Sequence, residues 1–159
     1  MYETMIRRII NRFSRSLSER LVAPRRVYAA PMRVWFEPKV DDPRQRELAR
    51  NAAVAGETVD LSRTGIAFLT PAIRIQEKYF VGHELVLNVE IDLPGGRIEM
   101  KVLGCRYEKS EIHLSVDRYL IGAKIVSMTE NAREAYENFV RYGSRRKSPQ
   151  ARAVKANTD

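Results

Sequence analysis

The chain has 159 residues, 44% of them hydrophobic and 30% charged, with a formal net charge of +8 and one cysteine, Cys105. That length suits one domain with short extensions, and a lone cysteine excludes an intrachain disulfide and a cysteine-rich zinc site. No apolar run approaches the roughly 18 residues that suggest a membrane span, so a soluble protein in a reducing cytoplasm is expected. The charge is unevenly placed. Residues 1–26 carry seven arginines against Glu3 and Glu19, a net of +5, and residues 143–159 carry five cations against Asp159, a net of +4. The intervening body is left at −1, so the pattern is a near-neutral domain with two basic arms.

In chain order, arginines interrupt MYETMIRRIINRF before a signal-peptide core can form. Met5, Ile6, Ile9, Ile10, Phe13, Leu17 and Leu21 follow the i, i+3, i+4, i+7 rule and predict an amphipathic helix over residues 5–21. Such a helix could pack on its own domain, on a second copy, or on a membrane surface. Residues 1–23 are therefore taken as an arm. APRRVYAAP follows, with Pro24 and Pro31 each holding the preceding residue extended. From Met32 the period becomes two, with Met32, Val34 and Phe36 facing in against Arg33 and Trp35. In DDPRQREL, Asp42 can serve as N-cap, with Pro43 at the first helical position and Gln45 three residues after the cap, so a short helix or an ordered loop is expected.

Strands resume with ETVDLS, GIAFL and ELVLNVEIDL, the last alternating through Leu85, Leu87, Val89, Ile91 and Leu93. PGG at 94–96 predicts a hairpin into RIEMKVLGCRY, where Ile98, Met100 and Val102 face in. IHLSV and YLIGAKIVSM predict one more pair. A final helix is expected from Asn131 as cap with Glu134, carrying a stripe of Ala132, Ala135, Tyr136, Phe139 and Val140 and ending at Gly143. The polar, basic tail 143–159 is expected to be disordered. Six or seven short strands between turn signals make the fold mainly β, a small antiparallel barrel or sandwich.

Little of this composition serves catalysis. His83 and His113 stand thirty residues apart, no acidic pair has metal-ligand spacing, and no nucleophile elbow is present. Gly95–Gly96 belong to a hairpin turn with no helix after it, which is not a phosphate loop. No enzyme activity and no metal are expected. What remains is DLSRTGIAF, residues 60–68, with Asp60, Ser62 and Gly65 at the spacing D-x-S-x-x-G. Read as structure alone, Asp60 and Ser62 bond amides of a turn and Gly65 supplies positive φ before the next strand. Read as chemistry, the same polar groups hold a ligand.

The order of these pieces resembles a PilZ domain. RRVYAAP precedes a strand, D-x-S-x-x-G lies between two strands, and LVLNVEIDLPGGRIEMKVLGCRY and YLIGAKIVSM then lead into a helix. The resemblance covers about residues 24–142 and implies a six-stranded antiparallel barrel, with an N-terminal amphipathic helix and a C-terminal helix added here. Many PilZ domains bind cyclic di-GMP, so the resemblance implies that ligand and no other cofactor. It also carries Asp60, Ser62 and Gly65 onto the family's second motif, where a carboxylate suits the N–H donors of a guanine edge. The family's first motif is R-x-x-x-R. Arg26 matches its first arginine, with Arg25 adjacent, but Ala30 stands where the second belongs and Ala29 stands four residues after Arg25. Arg33 and Arg20 are the candidates to stand in. The loop 41–56 is a second departure.

The leading expectation is a bacterial cyclic di-GMP receptor that relays the signal to a protein partner by reordering its N-terminal arm. It would lie in the cytoplasm or at the inner face of the membrane. The alternative is a degenerate PilZ domain that binds no nucleotide and acts as an adaptor through protein partners or self-association by residues 5–21. A third reading has the basic arms bind a membrane or nucleic-acid surface. Aromatics are only 8% of residues, and Trp35, Tyr79, Tyr107 and Tyr119 are scattered, which gives nucleic acid no stacking platform.

Overall fold

The computed structural model describes residues 25–113 and 116–143, with side chains described outside 110–117. The expected helix 5–21, Arg20 and the tail beyond Gly143 lie outside the described residues. The elements are β1 (Arg25–Val27), β2 (Pro31–Phe36), α1 (Pro43–Asn51), β3 (Val54–Ser62), β4 (Gly65–Thr70), β5 (Arg74–Ile75), β6 (Lys78–Tyr79), β7 (Val86–Leu93), β8 (Gly96–His113), β9 (Val116–Ser127) and α2 (Glu130–Tyr142).

Six strands close into an antiparallel barrel in the order β3-β2-β7-β8-β9-β4, with β4 returning to β3. Closure follows from alternation. Leu87, Val89 and Ile91 of β7 are fully buried, as is Val102 of β8, and Ile98 and Met100 are nearly so. They share one core with Met32, Val34, Leu61, Ile66, Phe68 and Ile121. Burying a Val, Leu, Ile or Phe side chain contributes about 1.5–3 kcal/mol. Slipping a strand by one residue would turn this whole set to solvent, so the pattern fixes the register. At the expected hairpin, Leu93 pairs with Gly96 around a Pro94–Gly95 loop, and Gly96 takes φ 138°.

β1 lies outside the barrel but on the same edge of β3 as β2. Asp60 and Leu61 pair with Val27 and Arg26 on that edge and with Ala67 and Ile66 of β4 on the other. The 41–56 segment forms α1 as its cap predicts, with the Asp42 carboxylate accepting the Arg44 N–H at 3.3 Å.

Several expectations need correction. IHLSV is not a separate strand: β8 runs to His113 and β9 begins at Val116, which pairs with His113. α2 begins earlier than Asn131, because the Thr129 hydroxyl accepts the Ala132 N–H at 3.2 Å. Ala135 is exposed, so the packed stripe is Tyr136 and Phe139 with Ala132 and Val140 beside them. Trp35 points outward from β2 yet is only 6% exposed, with the guanidinium of Arg50 over its ring at 5.8 Å.

Candidate functional site

The site is assembled by the pairing of β1 with β3. It sets Arg25 opposite Ser62, Arg26 opposite Leu61 and Val27 opposite Asp60, bringing the arginine pair against the D-x-S-x-x-G segment. Neighbouring residues of a strand point to opposite faces, so the two arginines diverge. Arg25 Nη1 donates to both carboxylate oxygens of Asp60, at 2.9 and 3.1 Å. The pair is well withdrawn from water, its side chains 14% and 4% exposed. Charges this far from solvent are costly to leave alone, so each holds the other in place.

Arg26 turns the other way, to the end of α2. Its Nε donates to the carbonyl of Val140 at 2.9 Å and its Nη2 to that of Arg141 at 3.3 Å. These carbonyls belong to the last turn, where a helix leaves acceptors unpaired and the macrodipole favours a cation. Gly143 ends the helix at φ 71°, and a Cβ there would stand 2.9 Å from Arg26 Nη1. Glycine serves both the backbone angle and the guanidinium's approach.

Ser62, fully buried, organises the turn itself. Its Oγ accepts the N–H of Gly65 at 3.1 Å and that of Thr64 at 3.4 Å, and lies 3.1 Å from the Gly65 carbonyl, to which it donates. The expected positive φ at Gly65 is absent; among the described glycines only Gly82, Gly96 and Gly143 have it. Gly65 is required for another reason. A Cβ there would stand 2.9 Å from the carbonyl oxygen of Ala123 on β9, closer than any side chain allows.

Two groups at the site escaped sequence reading. Tyr136 donates its hydroxyl to the Ser62 carbonyl at 2.6 Å, tying α2 to the turn. Burial, and then the nearby Asp60 carboxylate, push its phenol well above the ordinary value near 10. Its place in the apolar stripe of α2 announced a core residue and nothing of this bond. Thr64 keeps a buried hydroxyl with no hydrogen-bond partner among the described residues, and no spacing rule singles it out.

The other candidates lie elsewhere. Ala30 is fully buried in the core, its N–H bonded to Thr58 Oγ1 at 2.8 Å and its carbonyl accepting the Thr58 N–H at 2.9 Å, whereas Ala29 is exposed. Arg33 is not brought to Asp60. It pairs in register with Ala55, about 16 Å back along β3 at 3.3 Å per residue, and its Nη2 donates to the Arg50 carbonyl of α1 at 3.1 Å. No group of three His, Cys, Asp or Glu side chains suited to a metal is present among the described residues.

Chemically, the turn offers one carboxylate paired with the Arg25 guanidinium, while the Arg26 guanidinium lies on the other face of β1 at the end of α2. A ligand with paired N–H donors would compete with Arg25 for Asp60, and an anion would compete with Asp60 for Arg25. The family model for the PilZ domain matches residues 19–142. Among solved structures the chain is similar to the PilZ domain of YcgR from Escherichia coli with c-di-GMP, at TM-score 0.55 and 11% identity, covering 87% of this chain and 98% of that one. It is also similar to the Inhibitor of motility MotI/DgrA of Bacillus subtilis, at TM-score 0.52 and 13% identity, covering 80% and 54%. MrkH of K. pneumonia in its apo state gives TM-score 0.51 and 16% identity, covering 70% and 45%. This chain thus spans about half the length of MotI and of MrkH. At these identities the likeness is one of fold, and no curated protein matches. The match over most of the chain and the six-stranded barrel agree: the chain belongs to the PilZ domain family.

Proposed function

We propose that this chain is a receptor for cyclic di-GMP, with Asp60, Ser62, Arg25 and Arg26 forming the site and Gly65 setting its shape. The observation that carries this reading is the meeting of Arg25 with Asp60 at the D-x-S-x-x-G turn. In this reading the Asp60 carboxylate would accept from guanine N1–H and N2–H₂, and the Arg25 guanidinium beside it would donate to guanine O6 and N7 or to phosphate. The YcgR domain, whose structure contains c-di-GMP, supports it through the shared fold. Binding would exchange the Arg25–Asp60 pair for ligand contacts and draw Arg26 from the end of α2. Segment 25–30 would then move, and with it the arm of residues 1–23. Ordering a segment by phosphate contacts is an established kind of switch. The relay would end on a protein partner, in the cytoplasm or at the inner face of the membrane.

The burial of Ala30 favours a second reading, a degenerate domain that acts as an adaptor without nucleotide. Ala30 is fully buried with its backbone bonded both ways to Thr58, so an arginine at this position would have to bury its charge. Losing one charge-assisted bond of about 1.5–3 kcal/mol weakens binding by roughly ten- to a hundredfold.

Calorimetric titration of the full chain with cyclic di-GMP, with GTP as control, decides between them. The receptor reading expects saturable binding that Arg25→Ala, Arg26→Ala and Asp60→Asn each weaken by at least about tenfold, as one lost charged bond requires. Circular dichroism should show all three folded. Absence of binding by the natural chain would overturn the receptor reading and turn the search to protein partners.

A further inference from the structure

On the side of the barrel served by α1, a helix is held in place without contributing to the core. None of the nine residues of α1 is buried, and so short a helix is marginal in water by itself. Polar contacts hold it. Arg50 Nη2 donates to Glu90 Oε2 at 2.6 Å, Arg97 approaches the same carboxylate at 3.3 Å, and Arg33 donates to the Arg50 carbonyl. Glu90 is 3% exposed, a carboxylate that would be costly to bury without Arg50.

What the anchored helix does is wall a cleft. Between α1 and the β5–β6 hairpin lies an open cavity of about 370 Å³, with Phe36 in its lining and Leu48, Val40 and Ile75 among its apolar walls. Leu48 is 55% exposed and Val40 62%, although both stand in the concavity. Apolar side chains gathered in a cleft and left in water mark an interaction site.

Charge identifies the occupant. Lys39 and Lys78 also line the cleft, and neither has a carboxylate partner among the described residues; Lys78 lies over the Phe36 ring at 5.9 Å. The one acid in the lining, Glu37, is committed to Asn88 at 2.6 Å and Lys101 at 3.2 Å. The cleft therefore presents positive charge around an apolar floor. The chain's own arms, residues 1–23 at +3 and 143–159 at +4, have the wrong sign to fill it. A second copy joined face to face would set lysine against lysine.

We propose that this cleft docks an acidic segment of a partner protein that inserts a leucine or phenylalanine over Phe36 and between Leu48 and Ile75, while its carboxylates meet Lys39 and Lys78. The test uses fluorescein-labelled short peptides of glutamate and aspartate around a Leu-x-x-Phe pair, titrated with the full chain and read by anisotropy. Saturable binding is expected, weakened by at least about tenfold in Lys39→Glu/Lys78→Glu and in Leu48→Asp. The same peptide with lysines for its acids should not bind. Arg25→Ala and Asp60→Asn should bind the acidic peptide normally, which separates this site from the nucleotide site. Both groups of cleft substitutions fall on exposed side chains, and circular dichroism checks that they fold. The proposal is overturned by no saturation at millimolar peptide, by equal binding of the lysine peptide, or by unchanged binding in the cleft variants. Self-association that Leu48→Asp abolishes would overturn it in favour of a dimer. Sedimentation with phosphatidylglycerol vesicles that the lysine reversals abolish would overturn it in favour of a lipid surface.

Discussion

The two helices sit on one barrel by opposite means. α2 buries Tyr136 and Phe139 in the core and spends a third contact, Tyr136 to the Ser62 carbonyl, on the D-x-S-x-x-G turn. α1 buries nothing and hangs on the carboxylate of Glu90 and on Arg33. The difference separates fold from attachment. A helix bound by apolar burial shares in the cooperative stability of the barrel, whereas one held by a few polar contacts can open on its own, leaving the buried Glu90 carboxylate to Arg97. The candidate nucleotide site leans on the first kind, and the cleft beside α1 depends on the second.

The largest effect expected from this contrast is that of Phe139→Ala. Phe139 is 7% exposed and meets Tyr28 edge to face at 4.8 Å between ring centroids. Truncating a buried phenylalanine costs about 3–5 kcal/mol. Urea unfolding should show the whole barrel losing that amount in one transition. If α2 instead detached separately while the barrel melted as before, α2 would be an attachment like α1 and the contrast would fail.

Tyr136→Phe is expected to cost less, about 1–3 kcal/mol, because it leaves the buried Ser62 carbonyl without its partner. It also carries a pH signature. The phenol is held neutral in the folded chain well above pH 10, the ordinary value at which it ionises when unfolded. Between the two values the unfolded state binds fewer protons, so stability falls as pH rises, by up to about 1.4 kcal/mol per pH unit. Phenylalanine has no such slope. The stability gap between natural chain and variant should therefore be constant below pH about 10 and shrink above it. A gap that stays constant through the alkaline range would show that the hydroxyl is not buried against the turn.

These same residues show what the sequence could and could not disclose. The strands were legible because alternation such as Leu87, Val89 and Ile91 is dictated by burial of one face, whereas Asp42–Pro43 marked where α1 starts without separating a short helix from an ordered loop. β8 was harder, because beyond Tyr107 the chain reads Glu108, Lys109, Ser110 and Glu111. Backbone pairing with β9 carries it there without an apolar face. Asn131 and Thr129 are both competent caps, and the choice falls to Thr129 as Met128 packs against the core and the strand hands over at once. At the site, the spacing of Asp60, Ser62 and Gly65 was visible, but not which arginine meets Asp60. That choice rests on the register of β1 against β3, and a shift of one residue would exchange the faces of Arg25 and Arg26. The role of Gly65 was equally hidden, since what crowds it is a carbonyl of β9 some sixty residues away.

The smallest expected effect is the most discriminating for α1. Asp42→Ala removes the cap of a helix that has no buried residue, and such a loss costs about 0.5–2 kcal/mol of helix stability. Because that helix is not part of the cooperative core, global unfolding should move by less than about 0.5 kcal/mol, the range of ordinary surface substitutions. Amide hydrogen exchange should still record the loss, rising in residues 43–51 and nowhere in β2, β3 or β7. A matching drop in global stability would mean that the Arg50–Glu90 pair transmits the state of α1 into the barrel. Confinement to α1 would mean that one wall of the cleft can loosen while the candidate nucleotide site stays intact, so that the two proposed sites can be lost, or evolve, separately.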